Sequence, residues 1–584
     1  MARRGEAVHV ATTTRKYNDK VYKSHLLRRT YREGGKVKHQ TLGNISHLPE
    51  PVIEMIRQAL RGETLVPADS VFQIERSLPH GHVAAVLGTL RRLGLDRTVA
   101  SRRSRERDLV VAMIVARIID PRSKLATARG LDEAASSLGD VMGLGSVDED
   151  ELYEAMDWLL ARQAKIERAL AKKHLANGSV VFCDVTSTYF EGRKCPLARL
   201  GHSRDGKRGL PQVNFGLLCD ADGRPIAVEV FEGNTGDPNT LAAQVEKLQQ
   251  RFSLDGVVLV GDRGLLTSAR IREDLAPHES MRWITALRAP AIRQLVETGA
   301  FQLSLFDEQG LAEIATRDYP NERLIVCLNP LLAEDRARKR EELLTATERD
   351  LEAIVAATRR ERQPLRGKDR IGLRVGRVLG RHKVGKHFIL DIGDERLVWK
   401  RDETRIAQEA ALDGIYVLRT NVHPQDLSAE QTVQAYKNLS RVERGFRCFK
   451  GMDLRVRPVY HRLADRVRAH IFLCMLAYSV EWHLRDRLAP LLFDDHDRSG
   501  AAARRESVVA PAVRSASAER KSQTRSTMDG LPVHSFRDLL SNLATLCKNR
   551  VSPGSGVDVS FDQYTRPTPL QQRALELLDV QIRA

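Results

Sequence analysis

Three acidic residues lie where they could do chemistry. Asp184 directly follows the apolar run VVFC, and Asp262 directly follows the run VVLVG. Both runs are short enough to be fully buried strands, and such strands commonly present functional groups at their carboxyl ends. A single Asp at a strand end is usually a turn or capping residue. Two that are placed alike in one predicted sheet favour a shared site.

The third acid, Glu443, lies in a predicted helix and has cationic neighbours. With 3.6 residues per turn, Glu443 shares a helix face with Tyr436, Leu439, Arg447 and Lys450. Taken alone, Glu443 and Arg447 could be an exposed i, i+4 pair that contributes about 0.2–0.5 kcal/mol. The aromatic ring of Tyr436 on the same face indicates that this face is not simply solvated.

Three carboxylates brought together would repel one another unless a cation lay between them. Hard oxygen ligands with open positions suit Mg²⁺, and Mn²⁺ can substitute. In a two-metal site, with ions about 3.5–4 Å apart, one ion activates a water or a 3′-hydroxyl and the other stabilises the leaving oxygen of a phosphodiester. The predicted cofactor is therefore Mg²⁺, and the predicted chemistry is phosphodiester cleavage.

The charge of the chain points to a polyanionic partner. The formal net charge is +17, and the first 47 residues hold eleven Lys and Arg against three acids. A second basic cluster, SRRSRER at 101–107, contains Arg102, Arg103 and Arg105. Either cluster could be a solvated face that keeps the protein in solution. Together they make nucleic acid the leading candidate for the partner.

Other composition features exclude several classes of protein. The seven cysteines are scattered and contain no CxxC pair, so neither a disulfide framework nor a structural zinc site is indicated. The longest apolar runs, near 109–119 and 471–480, are shorter than the roughly 20 residues that span a bilayer. We expect a protein of the reducing cytoplasm without membrane segments; the family resemblance given below adds a bacterial, nucleoid-associated location.

The pattern along the chain predicts an α+β multidomain protein. Short alternating runs precede a helical region, and mixed strands and helices follow it. A charged helical stretch interrupts the mixed region, and a long helix is predicted from Ser428 onward. The predicted divisions are 1–76, a basic β unit with a linker helix that contacts DNA; 77–177, a helical DNA-binding region; 178–492, the catalytic domain with an insertion at about 300–413; 493–530, a flexible linker; and 531–584, a minor C-terminal segment.

These motifs resemble those of bacterial insertion-sequence transposases of the DDE class. The resemblance is to the group whose last acid lies in Tyr-x2-Arg-x3-Glu-x6-Lys. It extends over roughly 178–478, including DVTSTYFEG, VVLVGDRGLL and LDGIYVLRTN, and the basic segment YREGGKVKHQTLGNISHLP is similar to the start of such proteins. The spacing is kept, but Leu439 replaces the Arg. Arg441 or Arg447 could supply the missing charge.

The resemblance implies a ribonuclease-H-like core with Asp184 on its first strand, Asp262 after its fourth and Glu443 on a late helix. The gap of 181 residues from Asp262 to Glu443 (443 − 262) would hold an inserted, mainly β subdomain. All three acids would be catalytic and would bind the metal. The implied reaction is cleavage at the ends of the mobile element, followed by attack of the freed 3′-hydroxyl on target DNA.

The resemblance also implies partners and contacts. The partners are the terminal inverted repeats and the target DNA, bound by a homodimer in a synaptic complex. The loop GHSRDGKRG is expected to be mobile and to meet DNA, and His461 and His470 are expected to be packing or phosphate-side groups. The predicted DNA contacts are Tyr436, Arg441, Arg447, Lys450, Arg263, Arg102, Arg103 and Arg105.

Two alternative interpretations remain open. A haloacid-dehalogenase-like phosphatase is suggested by DVT and GDR, but Thr186 stands where that class needs its second Asp. That class also leaves the positive charge unexplained. The other alternative is a DNA-binding protein that derives from a transposase and has lost catalysis, which would require one of the three acids to be uncoupled from the others.

Overall fold

The chain forms two compact units. One comprises Met1–Ser77 with Lys548–Thr565, and the other comprises Leu78–Cys547 with Arg566–Ala584. The computed structural model describes residues 7–17, 20–63, 72–132, 135–254, 256–299, 306, 310–553 and 560–582. The predicted start of the insertion at 300 lies outside these residues. In the part described, no helix is both long and apolar enough to cross a bilayer.

The first unit begins with an antiparallel sheet in the order β1-β2-β3. Gly34 and Gly35 form the turn between β2 and β3 with φ of 59° and 77°, values that glycine adopts without strain. A helix and a fourth strand follow. The elements are β1 Ala7–Tyr17, β2 Lys20–Glu33, β3 Lys36–Asn44, α1 Glu50–Leu60 and β4 Phe72–Pro79.

A helical region opens the second unit. Its longest helix is almost fully buried from Leu109 to Val115, because apolar residues occupy every side of it there. Such a helix must be surrounded by other helices or by sheet. The elements are α2 Gly81–Arg92, α3 Leu95–Val99, α4 Arg105–Ile119, α5 Lys124–Asp132, α6 Leu138–Met142, α7 Glu149–Leu160 and α8 Gln163–His174.

A mixed sheet and its helices follow. The elements are β5 Val180–Tyr189, β6 Gln212–Cys219, β7 Pro225–Glu232, α9 Leu241–Glu246, β8 Val258–Gly261, α10 Ser268–Arg270, β9 Arg282–Ala286, α11 Ala289–Glu297, β10 Leu311–Ile314, β11 Arg323–Leu328, α12 Pro330–Thr358, α13 Lys368–His382, β12 Phe388–Ile392, β13 Leu397–Arg401, α14 Glu403–Ala410 and β14 Ile415–Thr420. Eight of these strands form one sheet in the order β10-β11-β14-β9-β8-β5-β6-β7. Strands β5, β6 and β7 are antiparallel, whereas β8 and β9 run parallel to β5.

The insertion is not mainly β. Strands β10 and β11 extend the central sheet, so they do not belong to a separate body. Helices α12, α13 and α14 dominate the rest, and β12 and β13 form only a two-stranded hairpin. This part has its own hydrophobic core, built from residues such as Leu351, Ile371 and Phe388. The 29-residue α12 follows from the long helical periodicity of 330–358.

The prediction of one continuous helix from Ser428 is wrong. The chain forms α15 Ala429–Lys437 and α16 Ser440–Lys450, separated by a tight turn at Asn438 and Leu439. Leu439 is only 7% exposed and packs in the main core. The long buried helix α17 Ala464–Leu488 follows.

The flexible linker predicted for 493–530 is also wrong. This segment forms α18 Arg498–Ala503 and α19 Ala516–Thr524, and Val509 and Lys521 are buried. Lys437 Nζ donates to the carbonyls of residues 508, 509 and 510, at 2.7–3.1 Å. Composition suggested flexibility, but backbone carbonyls that accept from buried lysines hold the segment in place.

The C-terminal residues are part of the fold and not a minor addition. Helices α20 Phe536–Ala544 and α21 Pro569–Leu578 bury apolar residues in the main core. Between them, β15 Cys547–Pro553 and β16 Phe561–Tyr564 form a three-stranded sheet with β4, in the order β16-β15-β4.

Candidate active site

Two of the predicted acids lie side by side on neighbouring strands. Cys183 on β5 pairs with Gly261 on β8 in parallel register, so Asp184 and Asp262 are the next residues of adjacent strands. Strand β8 ends at Gly261, but β5 continues to Tyr189. Asp184 therefore lies within its strand, at the level where the parallel neighbour ends, and not at the strand end that the sequence indicated.

Backbone amides hold one oxygen of each aspartate. Asp184 Oδ1 accepts from the Val185 N–H at 2.7 Å. Asp262 Oδ1 accepts from the N–H groups of Gly264 and Leu265 at 3.1 and 2.7 Å. Asp262 thus also caps the turn that follows β8, as strand-end Asp residues commonly do. Neighbouring backbone N–H groups therefore fix the orientation of both aspartate side chains.

Aromatic packing places Glu443 near these aspartates. The helix α16 lies against β5 and β6, where the ring of Phe215 packs on Phe446 and Phe449 with centroid distances of 5.7 and 5.8 Å. Glu443 is in the first turn of α16 and exposed. Burial raises the pKa of Asp184 to about 7, and the charges of Asp262 and Glu443 raise it too. The three acids are therefore close enough to act on one another electrostatically.

Tyr436 belongs to the same group although it lies on the preceding helix. Burial raises the pKa of its hydroxyl to about 12, with further increases from the charges of Asp262, Asp184 and Glu443. The charge of Arg263 acts in the opposite direction. The tight turn between α15 and α16 thus keeps Tyr436 beside the acids, as the helical face predicted.

In the described chain the three acids form no ion pairs, although the charge of Arg204 acts to lower the pKa of Asp184. No Lys or Arg of the described residues lies within ion-pair distance of Asp184, Asp262 or Glu443. Their ligand atoms do not all lie within 4.8 Å of one another. The chemistry of this donor set, three carboxylates in a partly buried site, nevertheless suits a divalent cation.

A different trio does meet that distance, but its two acids are ion-paired. Cys448, Asp453 and Glu481 are the one such set found in the described part of the chain. Asp453 and Glu481 both pair with Arg485, at 3.0 and 2.7 Å, and Asp453 also pairs with Arg537 at 3.3 Å. The two acids of this trio therefore belong to an ion-pair network with Arg485 and Arg537.

A cleft beside the acids collects cations around a buried carboxylate. Lys450 Nζ donates to Thr186 Oγ1 at 2.6 Å and to Asp205 Oδ1 at 3.0 Å, and Arg457 reaches the same oxygen at 2.5 Å. The side chain of Asp205 is 2% exposed, and its Oδ2 is buried without a partner. Arg447 lines the same cleft.

Sequence reasoning missed the roles of Asp205 and Arg457. The loop around Asp205 was expected to be mobile, but its side chains are anchored. Arg204 bonds the Val185 carbonyl and Asp237, and Asp205 binds the two cations of the cleft. The signal available in the sequence was one acid, Asp205, among the basic residues of the segment RDGKR.

The other predicted DNA contacts have mixed outcomes. Arg441 bonds the carbonyl of Ala221 and lies 3.7 Å from Asp222, so it faces the β6–β7 turn and not the acids. Arg105 is held by Glu151 at 3.0 Å and Arg103 by Asp108 at 2.7 Å. These interactions stabilise the helical region itself. Arg102 and Arg263 are exposed.

Comparisons with known proteins identify a family for most of the chain. Residues 177–480 match a family model described as "Transposase DDE domain". Residues 10–67 match one described as "IS1634 family transposase, N-terminal domain". The comparison with curated proteins finds no match. A solved structure, the piggyBac transposase synaptic complex with hairpin DNA, is similar at 9% identity over 80% of this chain and 76% of that one, with a TM-score of 0.33, too low to bear on the fold.

Proposed function

The chain belongs to the DDE transposases of insertion sequences and acts in DNA transposition, and we propose that Asp184, Asp262 and Glu443 are its catalytic acids. The observation that carries the proposal is the juxtaposition of Asp184 and Asp262 on paired strands. The mutual effect of all three charges on the pKa of Asp184 supports it. This family replaces the phosphatase interpretation.

We assign a ribonuclease-H-like topology to the core. Strands β7-β6-β5-β8-β9 support this assignment, since three antiparallel strands adjoin two that run parallel to the first of them. In that order the first acid lies on the first strand and the second follows the fourth. The strands β14, β11 and β10 extend the same sheet beyond β9.

DDE transposases generally use divalent metal, and we propose Mg²⁺, with Mn²⁺ as a substitute, held by the three acids. The fit rests on the donor set: three carboxylates without a cationic partner, one of them with a pKa raised to about 7 by burial and by its two neighbours. The ion, when bound, would supply Lewis-acid activation for phosphodiester chemistry. Asp184 and Asp262 each have one oxygen fixed by backbone amides, which leaves the other oxygen for the ligand.

The cations of the cleft would bind the DNA phosphates. Lys450 and Arg447 follow Glu443 on α16 and line the cleft. Because Leu439 is buried in the core and Arg441 is engaged at the β6–β7 turn, we assign to Arg447 the charge that the family pattern places at 439. We propose the reaction as hydrolysis at the element end followed by attack of the freed 3′-hydroxyl on target DNA, carried out by two copies of the chain on the terminal inverted repeats.

A plasmid assay tests this proposal. Purified protein would be incubated with a supercoiled plasmid that carries the element ends, in Mg²⁺ or Mn²⁺. We expect nicking at the element boundary that Asp184→Asn, Asp262→Asn and Glu443→Gln each abolish while DNA binding is retained. Glu246→Gln is the matched control, because Glu246 is an exposed acid outside the site. Calorimetric titration with Mn²⁺ gives a second readout that is independent of turnover.

Two results would contradict the assignment. Nicking that survives one of the three substitutions would remove that acid from the site. DNA binding without any cleavage by the unmodified protein would favour the interpretation in which catalysis has been lost.

A further inference from the structure

A second basic cavity adjoins the active-site cleft. It has a volume of about 790 Å³ and lies between the α4–α5 turn and the segment that joins α16 to α17. Helix α5 begins at its wall, so the positive end of that helix adds to the charge. We name it the arginine cavity, after the cations that line it: Arg117, Arg122, Lys124, Arg455, Arg457, Arg462 and Arg466.

The cations of the arginine cavity are short of negative partners. Glu149 is the only acid among the lining residues that the structure describes. Nor does any described carboxylate lie within ion-pair distance of Arg117, Lys124, Arg455 or Arg462. Arg122, Arg457 and Arg466 do pair, with acids outside the lining, at 2.6, 2.5 and 3.6 Å.

Burial makes this shortage costly. Lys124 is 4% exposed and Arg117 is 6% exposed, and buried cations in proteins are normally paired. Burial lowers the pKa of Lys124 to about 7, and the charge of Arg117 lowers it too. A cluster of this kind is stabilised when an anion enters it.

The two histidines that line the cavity, His461 and His470, add no positive charge to it. Burial lowers the pKa of His461 to about 3, so its ring is neutral. His470 Nε2 lies 3.1 Å from the Val456 carbonyl, and its Nδ1 is buried without a partner. The rings of His461 and Tyr153 pack edge to face at 5.9 Å, which gives the cavity a flat, partly apolar wall.

Arg457 connects the arginine cavity to the active-site cleft. Its side chain lines both, and its guanidinium pairs with Asp205, the carboxylate that also binds Lys450. A DNA strand whose phosphate lies at Lys450 therefore has the next cations of the protein directly along its path.

We propose that the arginine cavity binds backbone phosphates of the DNA strand that the three acids cleave, next to the phosphodiester that is cleaved. This inference rests on the proposed function, because it assumes that the cleaved strand runs from the active site along the cleft to the arginine cavity. The volume is within the range of about 300–1,000 Å³ that is typical of ligand sites, so it can admit a nucleotide unit of the strand. Free phosphate or a free nucleotide shares this chemistry, but continuity with the cleft favours DNA.

The test replaces two exposed lining cations and measures DNA binding as a function of salt. Arg455→Gln with Arg462→Gln removes two charges from side chains that make no ion pairs in the described chain. Arg359→Gln with Arg360→Gln, two exposed arginines that do not line the cavity, is the matched control. The probe is a fluorescein-labelled duplex carrying the element end, in metal-free buffer with anisotropy detection.

We expect the slope of log K against log salt to become shallower by about 2 in the cavity variant, because each phosphate contact contributes about 0.9. The control should retain the slope of the unmodified protein. Melting curves check folding, and the single variant Arg462→Gln should lose about 1 if the double variant is unstable.

An unchanged slope, or an equal loss in the control, would overturn the proposal. A second experiment uses pyrophosphate as the ligand and measures the melting temperature. If pyrophosphate raises the melting temperature only when the cavity arginines are present, and DNA binding is the same with and without those arginines, the ligand is a free phosphate and the proposal is overturned. Metal-free binding does not depend on cleavage. The proposed catalytic acids could therefore fail their own test without changing this one.

Discussion

Asp205 is the residue on which the cations of the active-site cleft depend, so Asp205→Asn is the most informative single substitution. Its carboxylate is 2% exposed and contacts Lys450 at 3.0 Å and Arg457 at 2.5 Å. Replacing it with the neutral amide keeps the shape and removes the charge. Two cations, one of them largely buried, then face each other without an acid between them.

The expected loss can be worked from exposure. Removing one partner of a buried ion pair typically costs about 3–5 kcal/mol. The side chain of Lys450 is 12% exposed and that of Arg457 is 29% exposed. Asn also retains an acceptor oxygen, so we expect a decrease in the free energy of unfolding of about 2–3 kcal/mol. The comparison is Asp237→Asn, whose pair with Arg204 is more exposed and should contribute about 0–1 kcal/mol.

Urea titration followed by tryptophan fluorescence gives both values, provided that the m-value is unchanged. The double variant Asp205→Asn with Lys450→Met should lose less than the sum of the single variants, because the unpaired cation is gone. Plasmid nicking should fall in Asp205→Asn, since Lys450 is no longer held beside Thr186. The reasoning is refuted if Asp205→Asn destabilises the protein no more than Asp237→Asn does.

Three other predictions follow from the described contacts. Burial raises the pKa of Asp184 from 3.8 to about 7, so its contribution to stability is fully present below about pH 4 and is lost progressively as pH rises to about 7. Without metal the melting temperature should therefore fall between about pH 4 and 7, with no further loss from this group at higher pH, and Asp184→Asn should flatten that fall. Mn²⁺ at a hundredfold excess over its Kd should restore about 2.7 kcal/mol in the unmodified protein only. Glu167→Gln should lower the free energy of unfolding of the second unit by about 3–5 kcal/mol in urea titration. The reason is that this fully buried acid pairs with Lys247 and Arg251 at 3.3 and 2.9 Å. Glu246→Gln, at an exposed position, should have little effect. Lys437→Met should release segment 508–510, whose carbonyls accept from its ammonium, and limited proteolysis should then cut there first; an unchanged cleavage pattern would show that other contacts hold the segment.

The sequence predicted the strands and the acids because those signals are local. An apolar run that ends near an acid is visible in a few residues, and the pairing of Cys183 with Gly261 follows once both runs lie in one sheet. The hydrophobic face of α16 was equally visible, since Phe446 and Phe449 are three residues apart. Local periodicity therefore identified Asp184, Asp262 and Glu443 as candidates.

Features that depend on distant partners could not be predicted in this way. The segment 493–530 has the composition of a linker, yet Lys437 holds it through hydrogen bonds that no local pattern reveals. The helix break at Leu439 is similar, because the core accepts this apolar side chain only when the chain turns. Asp205 was assigned to a mobile loop because its two cations lie about 250 residues away (450 − 205 and 457 − 205).

The positions of these cations explain how a strongly basic protein can keep an acidic centre. Lys450 and Arg457 pair with Asp205, and neither lies within ion-pair distance of Asp184, Asp262 or Glu443 in the described chain. If Lys450 paired with Glu443 instead, the carboxylate would be neutralised and would lose its value as a metal ligand. Asp205 thus separates two tasks: it keeps the acids available for the cation that we propose, and it fixes basic groups where a phosphate can replace the carboxylate as their partner.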